Sequence, residues 1–212
     1  EDGDYYITLM NENYEHPALP EGAEQGILKG MYLLRESKGK SKSRVQMLGC
    51  GTILREVIAA AELLEKDWGV AADVWSATSF TELRREGLAA ERWNLLHPED
   101  QPRLPYVTQC LEKRAGPVVA ASDYLKAFAD QIRPFIPKAA AKDRVYKVLG
   151  TDGFGRSDSR AKLRHFFEVN RTFIAVAALK ALAESGEGKA KTVAEAIKQY
   201  GIDPDKPDPA TV

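Results

Sequence analysis

The sequence is poor in the residue types that most often carry enzymatic or metal chemistry. Its 212 residues include only two cysteines and three histidines. Cys50 and Cys110 lie far apart with no CxxC spacing, so we expect reduced thiols rather than a disulfide. His16, His97 and His165 have no second histidine or cysteine at ligand spacing, which argues against a metal site. Nucleophile elbows, zinc-protease motifs and carboxylate pairs do not stand out either, so no catalytic residue is predicted.

The sequence also lacks an excess of either charge and any long hydrophobic run. Lysine and arginine number 30 against 31 aspartates and glutamates, for a formal net charge of −1. Proteins that bind nucleic acid or membrane surfaces through non-specific electrostatic attraction normally carry a clear excess of basic residues. No apolar run approaches the roughly 18 residues of a membrane helix, and no signal peptide is visible. We therefore expect a cytoplasmic globular domain with a sizeable core, without nucleic-acid or membrane partners.

What the sequence does have is a regular alternation of short apolar runs and amphipathic segments. Four strand-then-helix units predict parallel strands joined by crossover helices. The strands are "VQML", "DVWSA", "VVAA" and "YKVL", and the helices follow in "TILREVIAAAELLEKDWG", "FTELRREG", "YLKAFADQIRPF" and "SRAKLRHFFEV". Ser79, with Glu82 three residues later, forms a capping-box pattern, and Ser122 and Asp123 are predicted caps for the third helix. The predicted fold is therefore three-layer αβα with a mostly parallel mixed sheet.

The segments at both ends complete this prediction. "EGAEQGILKG" predicts a short helix that ends at Gly30. "MYLLR" and "VQML" flank the lysine-rich "ESKGKSKSR", which favours an antiparallel hairpin over one long helix through Arg35. Such a hairpin would give the sheet one antiparallel strand, a common arrangement at sheet edges. Asn170 is the predicted cap of "RTFIAVAALKALAES", and Gly201 is the predicted stop of a last helix in "KTVAEAIKQY".

A partial dinucleotide-binding pattern follows the strand "VQML". In "LGCGTIL" the position of the third glycine is occupied by Leu54, and Asp73 is the acidic residue about 20 residues on. An incomplete pattern of this kind favours a tight strand-to-helix turn over a cofactor site. A free-standing nucleotide-binding domain therefore remains an alternative, not the preferred interpretation.

The loop "LGTDGFGRSDSR", residues 149–160, is the most unusual segment. It follows a strand and precedes a helix, the position where open α/β sheets place ligands. It lacks the P-loop order and the calcium-loop spacing, and Asp152 and Asp158 would repel a phosphate. Two interpretations remain: a self-contained turn with two Arg–Asp pairs and Ser157 or Asp158 as helix cap, or a contact with another domain or subunit. The candidate interface residues are Asp152, Gly153, Gly155, Arg156, Ser157, Asp158 and Arg160.

Several long segments resemble a known enzyme family over essentially the whole chain. They are "YYITLMNENYEHPALPEGAEQGILKGMYLL", "SFTELRREG", "ERWNLLHPEDQPRLPYV" and, most specifically, "YKVLGTDGFGRSDSRAKLRHFFEV". These segments resemble the C-terminal portion of the homodimeric, bacterial-type pyruvate dehydrogenases, the decarboxylating components that use thiamine diphosphate. The resemblance implies that residues 1–20 are the last strand (residues 5–10) and linker of an upstream pyrimidine-binding domain. Residues 21–212 would be a transketolase-type C-terminal domain, and we expect the chain to be the tail of a longer protein.

The resemblance also implies a function for the longer protein. Such enzymes bind thiamine diphosphate and Mg²⁺, decarboxylate pyruvate as homodimers, and pass the acetyl group to the lipoyl arm of a dihydrolipoamide acetyltransferase component. Their GDG…NN motif and activating glutamate lie upstream, and the "TDG" of this chain is followed by no NN. No catalytic, cofactor-binding or metal-binding residue is therefore assigned, and we expect this segment alone to be inactive and to serve domain packing and dimer assembly. A docking module for the lipoyl-bearing component, using "KGKSKSR" or the loop, is a further alternative.

Overall fold

The computed structural model describes residues 4, 13–39, 41–139 and 143–212. The strand predicted at residues 5–10 lies outside this part of the chain and stays a prediction. The described strands are β1 (Met31–Arg35), β2 (Arg44–Gly49), β3 (Ala71–Ala77), β4 (Val118–Ala121) and β5 (Tyr146–Leu149). The helices are α1 (Glu24–Lys29), α2 (Leu54–Trp68), α3 (Phe80–Leu96), α4 (Tyr106–Leu111), α5 (Lys126–Asp130), α6 (Arg160–Phe166), α7 (Arg171–Ser185) and α8 (Ala190–Gln199). Within the described residues, none of these helices is long and apolar enough to cross a membrane.

The strands form one mixed sheet in the order β1-β3-β2-β4-β5. Strands β2 to β5 run parallel, with Met47 of β2 beside Val74 of β3 and Val119 of β4. Strand β1 is antiparallel to β3 and lies at the edge, so the predicted mixed sheet with one antiparallel strand is confirmed.

The predicted hairpin between β1 and β2 is wrong, because β3 lies between these two strands. The segment after β1 folds over the start of β3 instead of turning back directly. Asp73 of β3 is fully buried and accepts a hydrogen bond from the Ser37 backbone N–H at 2.9 Å. The Arg44 guanidinium forms an ion pair with Asp73 and also donates to the Gly39 carbonyl at 3.3 Å. This long-range polar cluster holds the segment in place, and adjacency in the sequence does not reveal it.

Apolar layers cover both faces of the sheet and confirm the three-layer αβα architecture. One layer packs against α2, α7 and α8, and its fully buried members include Val45, Met47, Val57, Leu64, Ile174 and Leu182. The other packs against α3, α4 and α5 and includes Leu48, Trp75, Phe80, Leu83, Leu111 and Ile132. Helix α7 lies against both α2 and the sheet, which explains its nearly continuous apolar sequence.

Two of the predicted helix starts are confirmed. The Ser79 hydroxyl accepts from the backbone N–H of Glu82 at 3.1 Å, and the Asn170 side chain accepts from that of Phe173 at 3.1 Å. Helix α1 also ends at Gly30 as predicted, with φ of +101°. The side-chain oxygens of Ser79 and Asn170 satisfy N–H groups that the first turn of a helix leaves unpaired.

The helix predicted in "YLKAFADQIRPF", with Ser122 and Asp123 as caps and Pro134 as its end, is wrong in length and in its cap. Helix α5 begins only at Lys126, and the chain continues after Asp130 into a separate 3₁₀ turn, Arg133–Phe135. The Ser122 hydroxyl accepts from the Tyr124 N–H in a turn, at 3.2 Å. The N–H of Lys126 instead donates to the Asp152 carboxylate at 3.0 Å, so a residue of the candidate loop caps α5.

Candidate functional site

The loop after β5 is fixed at its base against the connection between β4 and α5. The Thr151 backbone N–H donates to the Tyr124 carbonyl at 2.9 Å, and its hydroxyl donates to the Asp123 carbonyl at 2.7 Å. A Cβ at Gly150 would lie 2.6 Å from the Tyr124 carbonyl oxygen, so a side chain there would force the two segments apart. The loop therefore leaves the carboxyl end of the sheet in a defined direction.

Beyond this base, the loop contributes nothing to the core of the domain. Residues 153–159 are all exposed, and none of the residues of α6 is buried. Phe154 is 82% exposed, and the neighbouring Tyr124 and Leu125 are 53% and 54% exposed. Phe154 was not among the predicted interface residues, although an aromatic residue between glycines in a polar loop was a signal that could have identified it. Exposed apolar side chains of this size are a feature of contact sites.

The C-terminal tail packs against the same loop. Gly153 has φ of +104°, and a Cβ there would lie 2.2 Å from the Pro209 carbonyl oxygen. The Lys206 ammonium anchors the tail, because it donates to the Phe166 carbonyl at 3.0 Å and pairs with Glu168 at 2.9 Å. Gly153 is therefore required both for its backbone angle and for the close approach of the tail.

The predicted pairing of loop arginines with loop aspartates is wrong in the described structure. Asp152 caps α5, as noted above, and Asp158 pairs with Lys162 at 3.6 Å. Asp158 also accepts from the Ser159 N–H at 2.7 Å, while Ser159 itself is the N-cap position of α6 and neither Ser157 nor Asp158 takes that place. The Arg156 guanidinium lies over the Phe166 ring, 4.6 Å from its centroid. Arg156 therefore contacts an aromatic ring and neither of the two loop aspartates.

A buried carboxylate next to the loop was not identified from the sequence. Glu56 of α2 accepts from the Arg171 N–H at 2.9 Å, from the Arg171 side chain at 3.0 Å, and from Arg164 at 3.2 Å. Burial favours a raised pKa for Glu56, but the hydrogen bonds and positive charges of Arg171 and Arg164 outweigh burial and lower the pKa. Glu56 therefore stays ionised and joins α2, α6 and α7 beside the loop.

The linker before α1 reaches the same place. The Arg164 side chain donates to the Tyr14 hydroxyl at 3.3 Å, and Arg55 lies 4.5 Å from the centre of the Tyr14 ring. Arg55 also donates to the Glu15 carbonyl at 3.0 Å. Tyr14 and Glu15 therefore lie against Arg55 of α2 and Arg164 of α6, next to the candidate loop.

The residues of the partial dinucleotide pattern have structural roles in this fold. A Cβ at Gly49 would lie 2.7 Å from the Leu54 Cα, so this glycine serves the close approach of strand and helix. Leu54 is half-buried at the third-glycine position. Asp73, the acidic candidate, is occupied in the interior by Ser37, Arg44 and the Gln46 amide, which donates at 2.8 Å. These contacts leave Asp73 inaccessible to a ribose.

The thiols and histidines also lack the features of a reactive site. Both cysteines are free, and burial, supported by the charge of Asp123, raises the pKa of the Cys50 thiol to about 11. A thiol of that pKa is a poor nucleophile at neutral pH. His97 stacks on Trp93 with ring centres 4.1 Å apart. Among the described residues, no group of three His, Cys, Asp or Glu side chains is arranged to hold a metal ion.

Comparison with known proteins gives consistent results. The family model of the transketolase-like TK C-terminal domain matches residues 30–170. A pyruvate dehydrogenase E1 component of Pseudomonas aeruginosa is 60% identical over 205 residues, which cover 97% of this chain and 23% of that protein. The proteins of the same name from Cupriavidus necator and Escherichia coli K12 are 59% and 56% identical, over 100% and 97% of this chain and 23% and 22% of their own lengths. The chain thus spans about a quarter of the length of these relatives.

Solved structures support the fold. The transketolase of Pichia stipitis superposes with a TM-score of 0.50 at 18% identity, over 77% of this chain and 19% of its own. The transketolase of Leishmania mexicana gives a TM-score of 0.50 at 17% identity, over 78% of this chain and 20% of its own. At such identities the similarity concerns the fold alone.

Proposed function

This chain belongs to the family of transketolase-like C-terminal domains, and from this premise we propose that it is the C-terminal domain of a pyruvate dehydrogenase E1 component. The observation that carries the proposal is the 60% identity to the Pseudomonas aeruginosa protein over 97% of the chain. Because the chain spans about a quarter of that relative, the proposed activity belongs to a longer protein, called the whole protein below. The alternative of a free-standing nucleotide-binding domain is disfavoured by the buried Asp73 and by Leu54.

The proposed reaction of the whole protein is oxidative decarboxylation of pyruvate with transfer of the acetyl group. Pyruvate loses CO₂, and the remaining two-carbon unit forms a thioester with one sulfur of the lipoyl disulfide. The disulfide is reduced by two electrons from the former carbonyl carbon, and its second sulfur takes a proton. Thiamine diphosphate with Mg²⁺ would supply the stabilised carbanion that this chemistry needs.

The described residues of this chain do not fit that cofactor. They contain no cluster of three His, Cys, Asp or Glu side chains that could hold its Mg²⁺. We therefore assign no cofactor contact and no reaction step to the domain. In this proposal the cofactor is held by upstream parts of the whole protein.

The role that we propose for this domain is assembly of a cytoplasmic homodimer that serves a lipoyl-bearing acetyltransferase component. The supporting observations are the exposed Phe154 and the two loop arginines, Arg156 and Arg160, on a segment without buried residues. The described linker also reaches the domain beside this loop, at Arg55 and Arg164. An arginine-rich, aromatic surface of this kind has the composition of a protein interface.

The interface is tested by Arg156→Ala combined with Arg160→Ala in the whole protein. Loss of desolvated charge pairs costs about 2–5 kcal/mol, so the dimer dissociation constant should rise at least about 30-fold in analytical ultracentrifugation. The matched control is Arg85→Ala with Arg92→Ala on the exposed side of α3, which should leave the constant unchanged. An unchanged dimer constant together with unchanged turnover in the loop variant would make the loop a self-contained turn.

The activity has a separate test. The whole protein with thiamine diphosphate and Mg²⁺ should release CO₂ from pyruvate and reduce an artificial electron acceptor, whereas residues 1–212 alone should do neither. Failure of the whole protein to decarboxylate pyruvate would contradict the assignment. Direct capture of the acetyltransferase component by residues 1–212 alone would instead favour the docking-module alternative.

A further inference from the structure

The described sheet ends at β5, and the outer edge of this strand is open. Strand β5 pairs with β4 on its inner side, where the Val145 and Leu149 carbonyls accept backbone hydrogen bonds at 2.9 and 3.2 Å. Because the backbone groups of successive strand residues point to opposite sides, Tyr146 and Val148 direct theirs away from β4. The Tyr146 carbonyl accepts from the Arg133 guanidinium at 3.1 Å, whereas the N–H and C=O of Val148 have no hydrogen-bond partner in the described part of the chain. Such an unpaired edge is a template for an additional strand.

A groove of about 590 Å³ runs along this open edge. Val148 and Leu149 both line it, although their side chains belong to the apolar layers on opposite faces of the sheet. Helices α7 and α8 form its wall on one face, where Phe173, Val176 and Val193 give it an apolar surface. The loop residues that we place in the dimer contact do not line this groove. Its size and its apolar wall suit the side chains of a bound segment.

Positive charge lies at the end of the groove where β5 begins. Lys147 of β5 and Lys180 of α7 both line the groove and share one carboxylate, that of Glu184, at 2.7 and 3.5 Å. Two ammonium groups against one carboxylate leave one positive charge uncompensated. Glu168, which also lines the groove, is paired with Lys206 at 2.9 Å and does not offset this charge. The groove is therefore apolar along α7 and α8 and positive at one end.

The charge of the groove selects its occupant. A second copy of this chain fits poorly, because pairing two β5 edges about a twofold axis would bring the lysines of both copies together. A segment that carries negative charge is complementary to the groove instead.

We propose that an extended acidic segment of another protein binds here as an additional strand beside β5. Its backbone pairs with the outward N–H and C=O of Val148. On the α7 side, one acidic side chain of the segment lies near Lys147 and Lys180, and an apolar side chain two positions away contacts Leu149 and Phe173. The proposal concerns the edge of the described sheet and does not depend on the proposed function.

The probe is the peptide glutamate-threonine-leucine-threonine-glutamate, with blocked ends and a fluorescein label. Its glutamate and leucine side chains share one face and have the same order in both directions, so the peptide fits β5 in parallel or antiparallel orientation. Fluorescence polarisation with the whole protein should give a dissociation constant at or below about 0.5 mM. The peptide with lysine in place of both glutamates should bind at least about tenfold more weakly, because attraction becomes repulsion. Methylation of all backbone amide nitrogens should weaken binding about tenfold as well, because it removes the N–H donors of the added strand.

Two variants of the whole protein test the charge and the open edge separately. Lys180→Glu should weaken binding of the glutamate peptide at least about fivefold and strengthen binding of the lysine peptide. The matched control, Lys66→Glu on an exposed lysine of α2 that does not line the groove, should change neither affinity. Val148→Pro removes the outward N–H but no hydrogen bond to β4, and it should weaken binding of the glutamate peptide at least about fivefold.

Circular dichroism shows whether each variant folds like the wild type, and if Val148→Pro does not, Lys180→Glu and the methylated peptide decide the question. No binding at about 5 mM, roughly ten times the expected constant, would overturn the proposal. Equal affinities for the glutamate and lysine peptides, or for Lys180→Glu and Lys66→Glu, would also overturn it. Equal binding of the methylated peptide would exclude strand addition and make the groove a site for small apolar anions instead.

Discussion

Replacing Glu56 by glutamine tests the buried charge cluster that joins α2, α6 and α7 beside the candidate loop. Glutamine keeps the shape of the side chain and one acceptor oxygen but removes the negative charge. The side chain of Glu56 is 5% exposed and is contacted by the guanidinium groups of Arg164 and Arg171. The variant therefore leaves two arginines facing a neutral group in a partly buried place.

The magnitude follows from how deeply each partner is buried. Removal of one member of a buried ion pair costs about 3–5 kcal/mol. The Arg171 side chain is 52% exposed and that of Arg164 is 17% exposed, so water screens part of the freed charge. We expect Glu56→Gln to lower the free energy of unfolding by about 2 kcal/mol at pH 7. The matched control is Glu62→Gln on the same helix, whose pair with Arg35 is exposed and should contribute about 0–1 kcal/mol.

The assay is urea unfolding of residues 1–212 followed by tryptophan fluorescence, with the buried Trp75 as reporter. Both apolar layers of the sheet are built from residues of this chain, which supports independent folding. Because the pKa of Glu56 is lowered in the folded state, its stabilisation is complete above the unfolded value of about 4.3. It is lost as the pH falls through the folded pKa, so the difference between wild type and variant should shrink in acid. Equal stabilities of the two glutamine variants, or a difference independent of pH, would refute this reasoning.

Three further substitutions test backbone and packing requirements by the same unfolding measurement. Gly116→Ala should destabilise the domain by more than about 3 kcal/mol, because the new Cβ would lie 1.6 Å from the Arg44 carbonyl oxygen at a φ of +85°. Gly69→Ala, with φ of +62° but open space around it, should cost only about 1 kcal/mol, and similar losses for both would contradict the steric argument. Leu54→Gly completes the dinucleotide pattern, yet it should lower stability by about 2 kcal/mol and create no NAD affinity. If added NAD quenched the tryptophan fluorescence of the Leu54→Gly variant, the interpretation of the glycine pattern as a tight strand-to-helix turn would be wrong.

The succession of strands and helices was predictable because it depends on local chemistry. Apolar periodicity and the side-chain caps at Ser79 and Asn170 act within a few residues, and both caps form as expected. The partner of β1 was not predictable in this way. Strand β1 pairs with β3, and Asp73 of β3 accepts a hydrogen bond from the Ser37 backbone, 36 positions earlier in the chain. This contact favours pairing with β3 over a hairpin with β2.

The length of α5 shows a different limit of periodicity. Ala129, Ile132 and Phe135 are all buried, as one continuous helix face would require. The structure satisfies the same burial with a five-residue helix followed by a separate 3₁₀ turn. Spacing in steps of three is compatible with both solutions, so the sequence pattern could not choose between them.

The site depended on contacts between residues that are distant in the sequence. Glu56 lies among the apolar positions of α2 and has the appearance of a solvated charge until Arg164 and Arg171 reach it, 108 and 115 positions later. Asp123 and Thr52 meet only because β4 lies beside β2 in the sheet. Neither relationship leaves a local pattern that could be recognised.

The loop also shows why charges cannot be added up along a sequence. Asp152 and Asp158 counted against an anion site when the loop was considered alone, yet the fold directs them to the Lys126 backbone and to Lys162. Because residues 153–159 are all exposed, the core of this domain gains almost nothing from Phe154 and Arg156. These two side chains are therefore not required for folding and are accessible for contacts with a partner.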